Sequence, residues 1–461
     1  VCDLFLRFGK ERTAFMKNLT SGNIRSQLMF LALPLIAGNM LQQFYHTIDA
    51  LVIGRCAGPA GFAAIGVSGT VMNLFIFVIN GFCTGISIIL AQFYGRGDQR
   101  GFCREFFTSL ASGCVFTAAI SILGIMSLSG VLQMIGTPAE VAAPAQAYLV
   151  IIFCGLMTTF LYNFCSAVLR AAGDTRAALF FLAAAVCANL ALDLVFVALL
   201  HRGVAGAGWA TILSQGISVL LCLLYMKQKA PVLLLHRDDM VLEPFLLKRT
   251  WRCCSVTALH QSSVYIGKLL VQGTVNSLGT GTIAAFTAAS RIEGFANSFG
   301  DSGCASVAVF VGQNMGTGCS RRAREGFLAG IRLLLLLGLL SSFVMYVTAP
   351  AAMSFLLGAG SGAAFCQGTQ YLRTISVFYV LCFAGNGLVG YFNGTGRAAI
   401  PMAGAIMHLT LRVVLSWKFA RITGLGAVGA ATGIGWLAAV ALWWGIYLHG
   451  RRSRVLDDCS G

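Results

Sequence analysis

The chain is 461 residues long, 57% hydrophobic and only 10% charged, with a mean hydropathy of +0.80. That balance excludes a soluble globular domain, in which about a quarter of residues are charged, and long unalternating apolar runs such as Leu333–Leu337 exclude a membrane β-barrel. The net charge of +16 sits in short loops between apolar stretches, where topology and anionic headgroups account for it, so no nucleic-acid partner is expected.

A spanning helix needs about 20 mostly apolar residues, and such stretches recur twelve times: 28–54, 62–93, 106–133, 144–168, 178–200, 205–226, 252–278, 281–314, 326–356, 368–392, 399–420 and 425–449. Residues 227–251 are the one long polar stretch in mid-chain and read as a linker. The expected order is a cytoplasmic tail (1–26), a six-helix lobe (27–226), the cytoplasmic linker (227–251), a second six-helix lobe (252–450) and a cytoplasmic tail (451–461). With six helices per lobe, 23 of the 32 Lys and Arg fall on one side of the membrane and four on the other. The basic side is cytoplasmic. An even helix count makes the lobes parallel repeats and puts both termini in the cytoplasm. The sixteen cysteines are scattered through apolar segments and read as small packing residues rather than a metal or redox site.

A shift of 221 residues nearly superposes the chain on itself. Gln92, Gly95 and Gly97 fall on Gln313, Gly316 and Gly318; Gly173 and Arg176-Ala177-Ala178 fall on Gly394 and Arg397-Ala398-Ala399; Gly203, Gly208, Ala210 and Thr211 fall on Gly424, Gly429, Ala431 and Thr432. Three separated patches with one offset argue for a duplicated unit. In a membrane protein, duplicated bundles point towards a transporter.

Charges within the hydrocarbon are costly and are functional candidates by default. Four acids fall inside predicted helices: Asp49, Asp193, Glu293 and Asp301. Asn189 and Asp193 are four apart and stack on one helix face; Thr211 of the next helix offers a hydroxyl. Asp49, Asn189, Asp193 and Thr211 together suit a hard monovalent cation or a proton. Two carboxylates in one dry pocket cannot both ionise cheaply, so the pair is expected to take up and release H⁺ or Na⁺. The alternative is that each Asp bonds backbone near the membrane surface. Pro34 interrupts the first helix fifteen residues before Asp49 and kinks it. The second half lacks the pair, since Asp193 falls on Val414 and Asn189 on Thr410. It carries instead Lys268, Arg291, Glu293, Asp301 and Arg412, either an internal salt-bridge set or a polar site facing substrate. His46, His260 and His408 read as core histidines. Gly95-Arg96-Gly97 and Gly394-Thr395-Gly396 lack the continuation of a phosphate loop, so no ATP use is expected, nor any catalytic residue.

Several stretches resemble the multidrug and toxic compound extrusion (MATE) transporters, in particular their DinF-like branch. These are Leu33-Pro34, Gln42-Gln43, Ile48-Asp49 and Ile53-Gly54-Arg55 in the first helix, and Leu169 to Arg176 after the fourth. Asn189-x-x-x-Asp193 with Gly203-Val204-x-Gly206-Ala207-x-x-Ala210-Thr211, and Gly312-Gln313-Asn314-Met315-Gly316, complete the likeness. The resemblance implies two six-helix lobes around a central cavity and export of varied, often cationic and amphipathic drugs or toxins, driven by inward H⁺ or Na⁺ through alternating access. It also implies that Asp49, Asn189, Asp193 and Thr211 form the cation site of the first lobe, and that the helix bends at Pro34. The expected protein is a monomer in the bacterial or archaeal plasma membrane, in contact with lipid, with no cofactor beyond the coupling ion and no metal beyond Na⁺ at those four residues. A flippase for a lipid-linked oligosaccharide, from the same wider superfamily, is the alternative; the embedded acids argue against the basic cavity it would need.

Overall fold

The computed structural model describes residues 19–56, 58–134, 137, 139–229, 239–357 and 362–459; the side chains at 45–63, 65, 134, 139–141 and 451–459 lie outside the description. Fourteen α-helices and no strand occur among the described residues: α1 Ile24–Cys56, α2 Gly58–Arg96, α3 Gln99–Met134, α4 Ala139–Cys154, α5 Leu156–Ala171, α6 Thr175–Asp193, α7 Gly203–Lys229, α8 Pro244–Asn276, α9 Thr280–Gly316, α10 Ser320–Leu357, α11 Ala363–Ser376, α12 Tyr379–Gly394, α13 Ala399–Thr423 and α14 Leu425–Cys459. This is the all-α membrane architecture that the sequence predicts.

With α8 and α9 counted by their length alone, the fourteen helices give the twelve spans that the sequence predicts. Eight are singly long and apolar enough to cross a bilayer, and the pairs α4–α5 and α11–α12 each make one span bent by 49° and 50°. The remaining two, α8 and α9, are long enough at 33 and 37 residues. They fall short in hydropathy because they carry Lys268, Arg291, Glu293 and Asp301.

The two bends are the same feature of the duplicated unit, built with opposite side chains. In the first, Gly155 lies between α4 and α5, and a Cβ there would stand 2.2 Å from Ile212 Cδ1 of α7. In the second, the counterpart of Ile212 is Gly433 of α14, where a Cβ would stand 2.3 Å from the Phe378 ring. Bulk on the facing helix goes with glycine at the first bend; at the second, bulk at the bend goes with glycine on the facing helix.

The helices group into two compact units. One holds Leu33–Ala258 with Gln313–Cys319; the other holds Asn23–Ala32, Leu259–Gly312 and Ser320–Gly461. α1 changes unit between Ala32 and Leu33, next to the buried Pro34. Lipid is as apolar as leucine, so association in a membrane relies on close packing rather than on burial from water. The first unit accordingly joins α2 to α8 through small residues. A Cβ on Gly81 would stand 2.5 Å from Ala258 Cα, and one on Gly85 2.7 Å from Cys254 Cα. Its centre is filled by Phe82, Phe106, Phe160 and Phe164, with Phe82 stacked on Phe116 at 4.7 Å and Phe106 edge-on to Phe164 at 4.9 Å. The second unit is centred on Phe310, Phe327, Tyr371, Tyr379, Phe383 and Phe392.

Candidate functional site

The buried face of α6 repeats every fourth residue through Ala177, Phe181, Ala185, Asn189 and Asp193. The i, i+4 period that would otherwise make a plain apolar stripe therefore delivers an amide and a carboxylate to the interior of the first unit. Asp193 is 1% exposed and Asn189 3% exposed. Among the described residues the Asn189 amide makes no hydrogen bond. Immediately after Asp193 the helix widens into a π-turn, Leu194–Leu199, followed by His201 at φ 50° and Gly203 at φ 54°. Such π-turns recur at functional sites, and a positive φ in a non-glycine residue is held only where its surroundings impose it.

α7 returns alongside α6, with Ser218 Oγ donating to the Phe181 carbonyl at 2.9 Å. Thr211 is half-buried and donates to the Ala207 carbonyl of its own helix at 3.0 Å, which leaves its oxygen lone pairs available. Asp49 belongs to α1, as does His46, but both side chains lie outside the described residues. Pro34 removes one bond from the α1 ladder, and the helix continues through it.

The charged residues singled out in the second half divide into two groups. Lys268, Arg291 and Asp301 are exposed, whereas Glu293 and Arg412 are half-buried. Two fully buried tyrosines that the sequence reading missed flank the α11–α12 bend: Tyr371 before it and Tyr379 after it. Tyr379 donates to the Glu293 backbone carbonyl at 3.4 Å and to Asn297 Oδ1 at 3.3 Å. Trp436 stacks with His408 at 6.0 Å and meets Tyr379 edge-on at 5.4 Å.

Asp174, in the turn before α6, is also a missed residue. It caps α6 by accepting from the Ala177 N–H at 3.0 Å, and Tyr225 Oη donates to its other oxygen at 2.6 Å. Burial raises its carboxyl above the ordinary range, while Tyr225, Ala177 and Arg176 pull the other way. An Asp immediately before an apolar helix is a capping signal, and that signal was legible. Glu105, assigned from sequence to a loop, is in fact fully buried in α3 and accepts from Ser109 Oγ at 2.8 Å and Thr250 Oγ1 at 2.7 Å.

The chain matches the MatE family model twice, over residues 34–195 and 257–418. It is 30% identical to the probable multidrug resistance protein YpnP of Bacillus subtilis, covering 91% of this chain and 93% of that protein. It is 24% identical to DNA damage-inducible protein F of Escherichia coli over 47% of each chain. The fold is similar to that of a MOP superfamily transporter from Pyrococcus furiosus, with a TM-score of 0.88, 22% identity, and 96% of this chain and 98% of that chain covered.

Proposed function

The chain belongs to the MatE family, and from that premise we propose that it exports amphipathic, often cationic small molecules in exchange for H⁺ or Na⁺ by alternating access. It is a multi-pass membrane transporter, and the names of its relatives, probable multidrug resistance proteins, support a broad drug or toxin specificity. In this reading the lobes are 27–226 and 252–450, the linker and both tails are cytoplasmic, and the protein works as a monomer.

One observation carries the proposal: Asp193, a carboxylate 1% exposed in a membrane helix, shares its buried stripe with Asn189. An ionisable group buried within a membrane helix is costly to keep and is a functional candidate by default, and a carboxylate beside a neutral amide oxygen has the donor chemistry of a hard cation site. Helical register supports Asp49 and Thr211 as further ligands. Gly38 of α1 packs on α6, where a Cβ would stand 3.2 Å from Leu182 Cδ2. As first and fifth spans the two helices run in the same direction, and eleven residues beyond Gly38 and Leu182 come Asp49 and Asp193. α7 runs antiparallel to α6 after a short turn. Seven residues before Ser218 comes Thr211, level with the residue seven beyond Phe181 and so beside Asn189.

Mechanistically, the outward-open form loads the cation at these residues and releases substrate outward; the inward-open form releases the cation to the cytoplasm. A ligand drives such a switch only through different affinities for the two states. The test is efflux in everted vesicles with pH and Na⁺ gradients imposed separately. Asp49→Asn and Asp193→Asn each abolish the gradient-driven component; wild-type coupled transport in either variant removes the site, and transport driven by ATP without a gradient removes the class.

A further inference from the structure

Glu105 lies in the second turn of α3, fully buried within the first unit, and the export cycle makes no use of it. Both of its contacts fall on one oxygen. Oε1 stands 2.8 Å from Ser109 Oγ and 2.7 Å from Thr250 Oγ1 of α8. Oε2 is buried and makes no hydrogen bond among the described residues. Thr250 Oγ1 also stands 2.9 Å from the Leu246 carbonyl, one turn back in its own helix.

These distances constrain the hydrogens. A hydroxyl has one hydrogen to donate and a backbone carbonyl has none. The Thr250–Leu246 bond therefore takes the hydrogen of Thr250, in the back-bond that Thr211 and Thr257 also make. The hydrogen between Thr250 and Glu105 then comes from the carboxyl, so that this bond runs from acid to hydroxyl. A protonated Oε1 donates to Thr250 while accepting from Ser109, which places both contacts on one oxygen and leaves Oε2 a neutral carbonyl. An ionised carboxylate would carry part of its charge on an oxygen with no partner in a dry interior, a far costlier arrangement.

No guanidinium docks on this carboxyl. Among the described residues no ion pair reaches Glu105; Arg104 of α3 pairs with Glu243 instead. Arg249 of α8 donates to Gln92 Oε1 at 2.6 Å and lies over the Phe93 ring at 5.4 Å. Arg96 of α2 donates to the Gly316 carbonyl, and Arg170 of α5 to Ser166 Oγ. Lys248 and Arg252 of α8 are exposed, and the remaining titratable groups of that stretch are the thiols of Cys253 and Cys254.

We propose that Glu105 binds a proton at Oε1, in addition to any cation held at Asp49 and Asp193, and that this hydrogen fastens the start of α8 to α3. Without it the carboxylate cannot donate. Thr250 must then give up either Leu246 or Glu105, and an unpaired charge is left in the joint. The α3–α8 contact is therefore tight in acid and loosens in alkali. This site does not rest on the cation-coupling reading.

The experiment is infrared spectroscopy of the full-length protein in nanodiscs, with isotope-labelled glutamate to set glutamic acids apart from aspartic acids. At neutral pH Glu105→Gln removes one protonated-carboxyl band per chain and no carboxylate band. Thr250→Val shifts that acid band, and Thr250→Ser, which keeps the hydroxyl, leaves it in place. The buried Cys254 thiol of α8 reports on the joint. Its rate of reaction with a maleimide is the same in wild type and Glu105→Gln in acid, and several-fold faster in wild type in alkali, because the glutamine keeps its N–H donor at every pH. Loss of a carboxylate band in Glu105→Gln overturns the proton site. So does an acid band that stays in place in Thr250→Val, an arm that needs no change at Glu105. A ratio of thiol rates that is flat with pH overturns the fastening.

Discussion

Gly95 and Gly316 are one position of the repeat met twice, and each packs on the backbone of the other's helix. A Cβ on Gly95 would stand 2.0 Å from the Gln313 carbonyl oxygen, and one on Gly316 2.2 Å from that of Gln92. Within this unit the ends of α2 and α9 therefore cross at reciprocal glycines, and Arg96 Nε fastens the crossing by donating to the Gly316 carbonyl at 3.1 Å. Gln313, the partner of Gly95, also donates to the Ala171 carbonyl at 2.8 Å and accepts from the Leu19 N–H at 3.2 Å.

Because the neighbour of each glycine is backbone, a methyl group cannot be accommodated by a rotamer change. Gly95→Ala and Gly316→Ala should each destabilise by about 1–3 kcal/mol, the ordinary cost of overpacking. Gly66→Ala, in α2 with nothing among the described residues within 4 Å of the new Cβ, should be neutral or slightly stabilising, since alanine is the better helix former. Thermal unfolding in detergent, followed by thiol reactivity of the buried cysteines, reads the difference. Equal midpoints for Gly95→Ala and Gly66→Ala would show that the crossing is loose.

The exchanged bulk at the two bends gives a second test. Gly433→Ala drives a methyl into the Phe378 ring and should cost about 1–3 kcal/mol. Phe378→Ala vacates the same space, so the double variant should be less destabilised than the two single costs added, by at least about 0.5 kcal/mol of coupling. Strict additivity in the unfolding midpoints would mean that the two residues do not meet.

Much of the fold was legible because a membrane reduces the problem to apolar length. The offset of 221, read from glycines and polar residues, reappears in the matched bends. The bends themselves were invisible: 144–168 and 368–392 look like continuous apolar runs, and Gly155 resembles any other membrane glycine until Ile212 is seen against it. At the candidate site, Asn189 and Asp193 stood out as polar residues in an apolar run. Tyr371 and Tyr379 did not, because a tyrosine in such a run looks like core, and only the break between α11 and α12 shows that they flank a bend, with Tyr379 donating to the Glu293 carbonyl. Glu105 was misread because the sequence hid how far α3 extends towards its start; Gln99 is its first residue.

Asp174 should leave a pH signature. Its carboxyl is raised in the folded state, chiefly by burial, so the folded protein holds that proton more tightly than the unfolded chain does. The associated stability is fully present below the unfolded value of about 3.9 and is lost as pH rises through the higher folded value. Asp174→Asn cannot titrate. The unfolding temperature of wild type should therefore fall relative to Asp174→Asn as the pH is raised from acid towards neutrality. A difference that is flat with pH, or one that grows in favour of wild type, would assign Asp174 an ordinary exposed behaviour.

Asn189 and Asp193 should separate in kinetics if both face one cation. Asp193 supplies charge, so Asp193→Asn removes coupling altogether. Asn189 supplies a neutral oxygen, and a hydrogen-bonding or ligating contact to a charged group contributes about 1.5–3 kcal/mol. Asn189→Leu, which keeps the volume and removes the oxygen, should thus raise the cation concentration needed for half-maximal exchange by about 10–150-fold, since each 1.4 kcal/mol is a factor of ten. The rate at a saturating cation gradient should change little, because the carboxylate that carries the charge remains. Measuring exchange rate against cation concentration on the loading side distinguishes the two outcomes. A loss of maximal rate with unchanged half-saturation would instead assign Asn189 to the packing of α6, and the cation would have to find its neutral ligands elsewhere.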